Sequence, residues 1–392
     1  MDQPGVLTGR LAAAAGFDPE LRYGHALKGF AARLIPGAAR KLRDDPRVAF
    51  VVPDREVHAV GTVAVTTGDA VPAGVRRIEA GTTAHLHEAS AANVAVIDTG
   101  IDLSHPDLNA VHGKNCVGRG PADDDNGHGT HVAGSIAAKN NGSGVVGVAP
   151  GTTVYAVKVL DAAGSGSLSA IICGIDWATS TRTDDDLSND IAVANMSLGG
   201  GGRPVEACGA TRDPLHRAIC RSTSAGVTYV VAAGNDGWDF DYVDVPDLPA
   251  AYPEVLTVTA VSDSDGLPGG SGGAPTCTTT ESDDRYASFS SYAATPGGAA
   301  HTLAGPGVCI RSARAGGGTA TFSGTSMATP HVAGLVARAS ARPACPGPAT
   351  ASPPPRSSRR SAATPAATPR QRPSTASPAT RRVRWAGGMA AT

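Results

Sequence analysis

Gly324-Thr325-Ser326-Met327-Ala328-Thr329-Pro330-His331-Val332-Ala333-Gly334 places a serine just after a Gly-containing turn, with small residues behind it, a proline four positions on and an apolar run beyond. That order predicts a nucleophile in the first turn of a buried helix running to about Arg342, where Pro343 stops it. Unpaired N–H groups and the positive end of the helix dipole face a carbonyl reacting at such a position, so negative charge is stabilised where it develops. A serine nucleophile needs a base, and the base needs an orienting group.

Both stand upstream. Asn93-Val94-Ala95-Val96-Ile97 is a continuous apolar, β-branched run, the pattern of a strand buried on both faces, and it ends at Asp98-Thr99-Gly100. Asn126-Gly127-His128-Gly129-Thr130-His131-Val132-Ala133-Gly134 then puts a Gly-flanked histidine ahead of a helical run of small residues. The order Asp, His, Ser differs from that of trypsin-like enzymes and α/β-hydrolases. These three blocks resemble the signature segments of the subtilisin family of serine peptidases. The resemblance implies Ser326 as nucleophile, His128 as general base and then acid, and Asp98 as the carboxylate that fixes the imidazole. His131 and His331, within the same motifs, are expected to be packed structural histidines.

The remaining site residues also follow from the resemblance. Asn235, in Ala232-Ala233-Gly234-Asn235-Asp236-Gly237, matches the family's oxyanion-hole amide, with the Ser326 N–H as second donor. Gly164-Ser165-Gly166 and Ser197-Leu198-Gly199-Gly200 match the segments that sandwich the substrate's non-prime side, and Ala232, Ala233 and Gly234 match one wall of the primary specificity pocket. Those walls carry no charge, so a hydrophobic preference is expected. A structural Ca²⁺ is expected at Asp107 and Asn141, which match family calcium-loop segments. The runs Asp123-Asp124-Asp125 and Asp184-Asp185-Asp186 read as solvated loops, and Asp239 and Asp241 are left open between cleft lining and cation binding.

The fold expected is α/β. Apolar runs at Thr153–Leu160, Ile191–Met196, Val227–Ala232 and Val255–Val261 alternate with helical segments near Thr130–Ala138, Ser167–Thr179 and Pro214–Ser224. That alternation means βαβ units and a doubly wound parallel sheet flanked by helices, with the site beyond the strands' carboxyl ends. Ahead of it, Tyr23–Leu34 and Asp45–Asp54 contain apolar strand-like runs separated by a helical pattern at Ala38–Asp44, a small α+β unit that resembles the inhibitory propeptide of subtilisins. The expected organisation is propeptide 1–60, N-terminally incomplete; linker and processing zone 61–73; catalytic domain 74–342; and a disordered Pro/Ala/Arg-rich tail 343–392. Val75-Arg76-Arg77-Ile78 resembles the start of a mature subtilase.

At 392 residues the chain accommodates a catalytic domain of about two to three hundred residues with flanking pieces. The net charge is −2, but nine Arg and no acids from Ala341 onward leave −11 on the remainder, which argues against nucleic acid as a partner of the body. No apolar run reaches the roughly eighteen residues of a membrane span. The expected partners are polypeptide substrates and the chain's own propeptide, acting as an intramolecular inhibitor on a monomer. Seven cysteines without a metal-type C-x-x-C pair favour an oxidising, extracellular destination. Met1–Glu20 has neither the basic start nor the apolar stretch of a signal peptide, so a start placed too far downstream is the expectation. Cys208 with Cys220 and Cys277 with Cys309 are candidate disulfides, and Cys173 is expected to be a buried thiol. The alternative to an active enzyme is a silent or non-maturing chain, because family members usually continue with further packing helices where this tail begins.

Overall fold

The structure, a computed structural model, describes residues 10–14, 16–23, 29–51, 62–202, 205–242, 244 and 246–340. The expected tail lies outside the described residues. The chain divides into two compact units, one up to Val60 and one from Gly61 onward.

In the first unit Pro19–Tyr23 pairs antiparallel with Gly29–Ala32, and a helix spans Pro36–Arg43 with proline at its first position and Ala38 and Leu42 buried. Phe17 stacks on Phe30 with ring centroids 5.1 Å apart. The apolar run after Asp45 forms no strand over its described residues, up to 51. Asp45 accepts hydrogen bonds from the Arg47 N–H and guanidinium, which fixes a turn at Asp45-Pro46 instead. The rest of that run lies outside the described residues.

The second unit is built on an eight-stranded sheet: β1 (Asn93–Asp98), β2 (Asn109–Asn115), β3 (Thr153–Lys158), β4 (Ile191–Met196), β5 (Thr228–Ala232), β6 (Leu256–Ser262), β7 (Arg285–Tyr286) and β8 (Thr302–Pro306). Its order is β7-β6-β5-β4-β1-β3-β2, with β8 pairing β6; every pairing is parallel except that of β7. From β1 the chain winds outward to β3 and β2 on one side and to β4, β5 and β6 on the other. The order therefore reverses beside β1, the position where such sheets place their sites.

Alternation along β1 shows why the sheet needs helices on both faces. Val94 and Val96 enter one apolar cluster with residues of α1 (His128–Ala137) and α4 (Thr325–Ser340), while Ala95 and Ile97 enter a second with α2 (Leu168–Ser180) and α3 (Pro214–Ser224). The Ser167 hydroxyl caps α2 by accepting from the Ala170 N–H at 3.1 Å, and Asp213 caps α3 ahead of Pro214. Strand β2 escaped the sequence reading because Asn109-Ala-Val-His-Gly-Lys-Asn is a mixed, largely exposed edge strand without an apolar run. The segment read as a linker is tied into the sheet structure: Thr62–Ala64 pairs with His85–His87, and Asp69–Ala70 with Gly144–Val145.

Three disulfides are formed. Cys208–Cys220 and Cys277–Cys309 agree with the expected pairs, but Cys173 bonds Cys116, which corrects its reading as a free buried thiol. Cys116 follows the end of β2, and α2 packs against that strand, so the topology joins two cysteines 57 residues apart.

Candidate active site

Asp98 ends β1 fully buried. Its Oδ1 accepts from the Thr99 N–H at 2.7 Å and lies 2.7 Å from His128 Nδ1. His128 opens α1, and two glycines let the strand end and the helix start meet. A Cβ on Gly129 would sit 2.1 Å from the Gly100 carbonyl oxygen, and Gly100 itself turns the chain away from β1 at φ +111.

The N-cap of α1 is Gly127, which has no side chain to satisfy the helix's first N–H groups. Asp124 does this from outside the helix: Oδ1 accepts from the Thr99 hydroxyl and the Asn126 and Gly127 N–H groups, and Oδ2 from the Thr130 N–H and hydroxyl. Beside it, Asp123 accepts from the Leu103 N–H, and Asp125 pairs at 2.6 Å with the buried Lys158 ammonium. Asp124 is thus a structural hub rather than part of a solvated run, while Asp123 and Asp125 remain exposed as expected. A carboxylate is the right group there, because several donors converge on one small site. Burial of His128 disfavours its charged form, but the charge and hydrogen bond of Asp98, with Asp124 behind, outweigh it and hold the imidazole pKa above its ordinary value.

Ser326 is the second residue of α4 and buried. Pro330 explains how this turn is anchored. Lacking an N–H, Pro330 leaves the Ser326 carbonyl without its helical partner; the Ser197 hydroxyl donates to it at 2.8 Å, and Ser326 Oγ donates to the Ser197 carbonyl at 3.3 Å. Asn195 at the end of β4 donates in turn to the Ser197 hydroxyl.

Asn235 follows β5. Its Oδ1 accepts from both the N–H and the hydroxyl of Thr325, at 2.8 and 2.9 Å, and the Thr325 hydroxyl also accepts from the Gly234 N–H. The amide oxygen being so committed, the Nδ2 side is turned toward Gly324 and the start of α4.

A pocket of about 140 Å³ opens beside these residues. Leu198, Gly199, Gly200, Ala232, Ala233, Gly234 and Asn235 line it, Ser197 does not, and Asp236, Trp238 and Asp247, which the sequence reading did not place there, join the lining. Gly164, Ser165 and Gly166 are outside that lining. They form a turn closed by Asp161, which accepts from the Ser165 N–H, and Asn126 donates to Ala162 in the same loop at 3.0 Å. Asp239 and Asp241 are also outside the lining. Asp239 accepts from the Ala294 N–H and Asp241 from the Thr295 hydroxyl, so both serve the loop's own architecture. Asp184–Asp186 remain exposed, with Asp186 capping a turn through Ser188.

His131 and His331 are packed. His131 Nε2 donates toward the Ile310 and Ala320 carbonyls while its ring stacks on Phe322, and burial holds its pKa down at about 3. His331 donates to the Met327 carbonyl, and burial pushes its pKa to about 4.

At the expected cation site Asp107 Oδ1 accepts from the Asn141 amide at 3.1 Å and from the Lys139 N–H. Asp69, absent from the sequence reading, joins them: Oδ2 accepts from the Gly142 N–H, and Oδ1 is buried without a hydrogen-bond partner among the described residues. Burial, and then the Asp69 charge, push the Asp107 carboxyl up to about 6 despite the N–H and amide donors around it. Two facing carboxylates, one with an orphaned oxygen, form an oxygen donor set that fits a hard cation, while the Asn141 amide turns its Nδ2 to Asp107 and its Oδ1 to the Ser143 N–H.

The subtilase family profile matches residues 89–352, and that of peptidase inhibitor I9 matches residues 10–59. Subtilisin NAT and subtilisin E, from strains of Bacillus subtilis, are each 40% identical over 310 residues, 78% of this chain and 69% of theirs. A subtilisin of Bacillus pumilus is 41% identical over 270 residues, 68% of this chain and 83% of its own. The crystal structure of a cold adapted subtilisin-like serine proteinase matches with a TM-score of 0.50 and 32% identity, covering 69% of this chain and 84% of that one. The chain belongs to the subtilase family, as a serine-type endopeptidase with an inhibitor I9 segment ahead of its catalytic unit.

Proposed function

We propose that this chain is the zymogen of a secreted endopeptidase that hydrolyses peptide bonds through an acyl-enzyme, with Ser326 as nucleophile, His128 as general base and acid, and Asp98 as its orienting carboxylate. The observation that carries the reading is the short Asp98–His128 contact at 2.7 Å, set where a buried serine begins a helix and Asn235 is held by Thr325. Ser326 Oγ attacks the substrate carbonyl carbon as His128 Nε2 takes its proton; the oxyanion is met by the Ser326 N–H, free of the helix ladder in its first turn, and by Asn235 Nδ2. His128 then gives that proton to the leaving amine, and water repeats the sequence in reverse on the acyl ester. Asp98 keeps Nδ1 protonated, so that Nε2 is the basic nitrogen.

Secretion is supported by three disulfides, which persist in oxidising compartments. Asp69, Asp107 and Asn141 would hold a structural Ca²⁺, whose charge neutralises the two carboxylates and stabilises the fold. A chelator titration of the Ser326→Ala protein tests this: thermal stability should fall on calcium removal, and Asp107→Asn should abolish the difference.

The experiment for the whole reading is self-processing. The chain and its Ser326→Ala variant are expressed with calcium, the N-terminus is read by mass spectrometry, and a fluorophosphonate probes the serine. The parent should shed its first sixty to seventy-five residues and take the label while the variant does neither. A soluble, cooperatively folded parent that stays uncut and unlabelled would sink the proposal in favour of a non-maturing chain.

A further inference from the structure

The primary pocket holds two acids that an apolar slot does not need. Asp247 is 8% exposed, Asp236 is exposed, and both line the pocket. Asp247 Oδ2 accepts from the Trp238 indole N–H at 2.8 Å and lies 3.2 Å from where a Cβ on Gly234 would stand. Its Oδ1 takes no hydrogen bond among the described residues, and neither acid is paired with a Lys or Arg there. A carboxylate largely withdrawn from water, with no Lys or Arg beside it among the described residues, carries a desolvation cost in the free protein.

Resting on the endopeptidase reading above, we propose that Asp247, assisted by Asp236, makes this pocket select Lys or Arg on the acyl side of the scissile bond. A buried acid at the base of such a slot selects a basic side chain because the pair satisfies both charges only when that side chain is bound. The rest of the lining suits the same guest. Leu198, Ala232 and Ala250 offer apolar contact to a long methylene stem, and the half-exposed Trp238 ring offers a face to a guanidinium or ammonium. A phenylalanine in the slot would instead seal the Asp247 carboxylate away from water with only the indole as partner. Burial, and then the charge of Asp236, raise the Asp247 pKa against the lowering effect of the indole bond, so the preference should strengthen as pH rises and the carboxylate ionises. The segment 61–73 contains no Lys or Arg. An intramolecular cut there, made at high effective concentration, tolerates a poor residue that a separate substrate does not.

The test uses the matured enzyme, titrated with a fluorophosphonate, on four peptides that differ only in Arg, Lys, Phe or Glu before the cleaved bond. At pH 8 and low salt, kcat/KM for Arg and Lys should exceed that for Phe by roughly 10–100-fold, with Glu lowest. Asp247→Asn should bring Arg and Phe to within a few-fold of each other, and Asp247→Glu should keep the basic preference. Mapping the cuts made by the wild-type enzyme in an unfolded protein gives the same answer without any variant, should Asp247→Asn fail to mature. Phe cleaved as well as Arg by an enzyme that titrates fully, or an Arg-to-Phe ratio unmoved by Asp247→Asn, overturns this inference alone. No labelling and no cleavage of any peptide overturns the endopeptidase reading with it.

Discussion

His128 and His131 stand one turn apart on α1, yet the protein drives them in opposite directions. His128 has Asp98 at 2.7 Å and Asp124 behind it, and its imidazolium is favoured. Among the described residues His131 meets two carbonyls, a stacked phenylalanine and the nearby charges of other histidines, and burial lowers its pKa to about 3. Both rings are removed from water, which penalises charge in each. What separates them is whether a carboxylate shares the burial, and that is decided by the strand end and loop facing each side of the helix rather than by the helix.

If that contrast is functional, removing His128 should abolish chemistry and spare the fold. His128→Ala should lower kcat by roughly 10⁶-fold, the scale of the same loss in a subtilisin, with little change in melting temperature. A residual rate within a hundredfold of the parent would break the assignment. Asp98→Asn comes next, at roughly 10⁴-fold in kcat. It also removes the charge that raises His128, so the acid limb of the kcat/KM profile, where the base becomes protonated, should move to lower pH; an unmoved limb would mean that Asp98 is not what sets the His128 titration.

His131 and His331 are held neutral in the fold, while their unfolded counterparts protonate near the ordinary value of 6.5. Their contribution is complete above about 6.5 and is lost as pH falls toward the folded values of about 3 and 4, at roughly 1.4 kcal/mol per pH unit for each ring. His128 has the reverse sign: its contribution is present below its unfolded pKa and is lost as pH rises through the raised folded one. Denaturant midpoints of the Ser326→Ala protein, followed from pH 7 to pH 4, should fall steeply. His131→Gln should start lower but lose stability with about half the slope, and equal slopes would show that His131 already titrates in the folded state.

The parts of this molecule legible in sequence were those whose signal is local. Ser326 with Pro330, Gly127 before His128 and the run ending at Asp98 each sit within a dozen residues of the features that explain them, and the parallel sheet follows from apolar runs alternating with helices. What stayed hidden depends on distance along the chain. Cys116 meets Cys173 only because α2 packs on β2, and Asp69 reaches Asp107 and Asn141 only because residues 69–70 pair with 144–145. Asp247 enters the pocket because it pairs with Gly201 on the opposite wall. The expected hydrophobic preference was read from the uncharged segments 164–166, 197–200 and 232–234, and those segments do not report that residue 247 lines the same pocket.

Asp124 shows the same limit on the smallest scale and supplies the finest test of the two histidines. In sequence it is the middle of three aspartates in a loop, which reads as solvent-facing charge; in the fold its two oxygens take five hydrogen bonds at the start of α1. Asp124→Asn keeps the size and one acceptor but replaces the second with donors aimed at the Thr130 N–H and hydroxyl or at the Asn126–Gly127 amides. Loss of that cap should cost on the order of 1–2 kcal/mol of stability. Because Asp124 is the lesser of the two charges raising His128, the acid limb should also move down, by less than in Asp98→Asn. His131 receives nothing from Asp124, so the acid-stability slope should be unchanged. A variant that loses stability while the limb stays fixed would make Asp124 a helix cap alone, and Asp98 the sole source of the difference between the two rings.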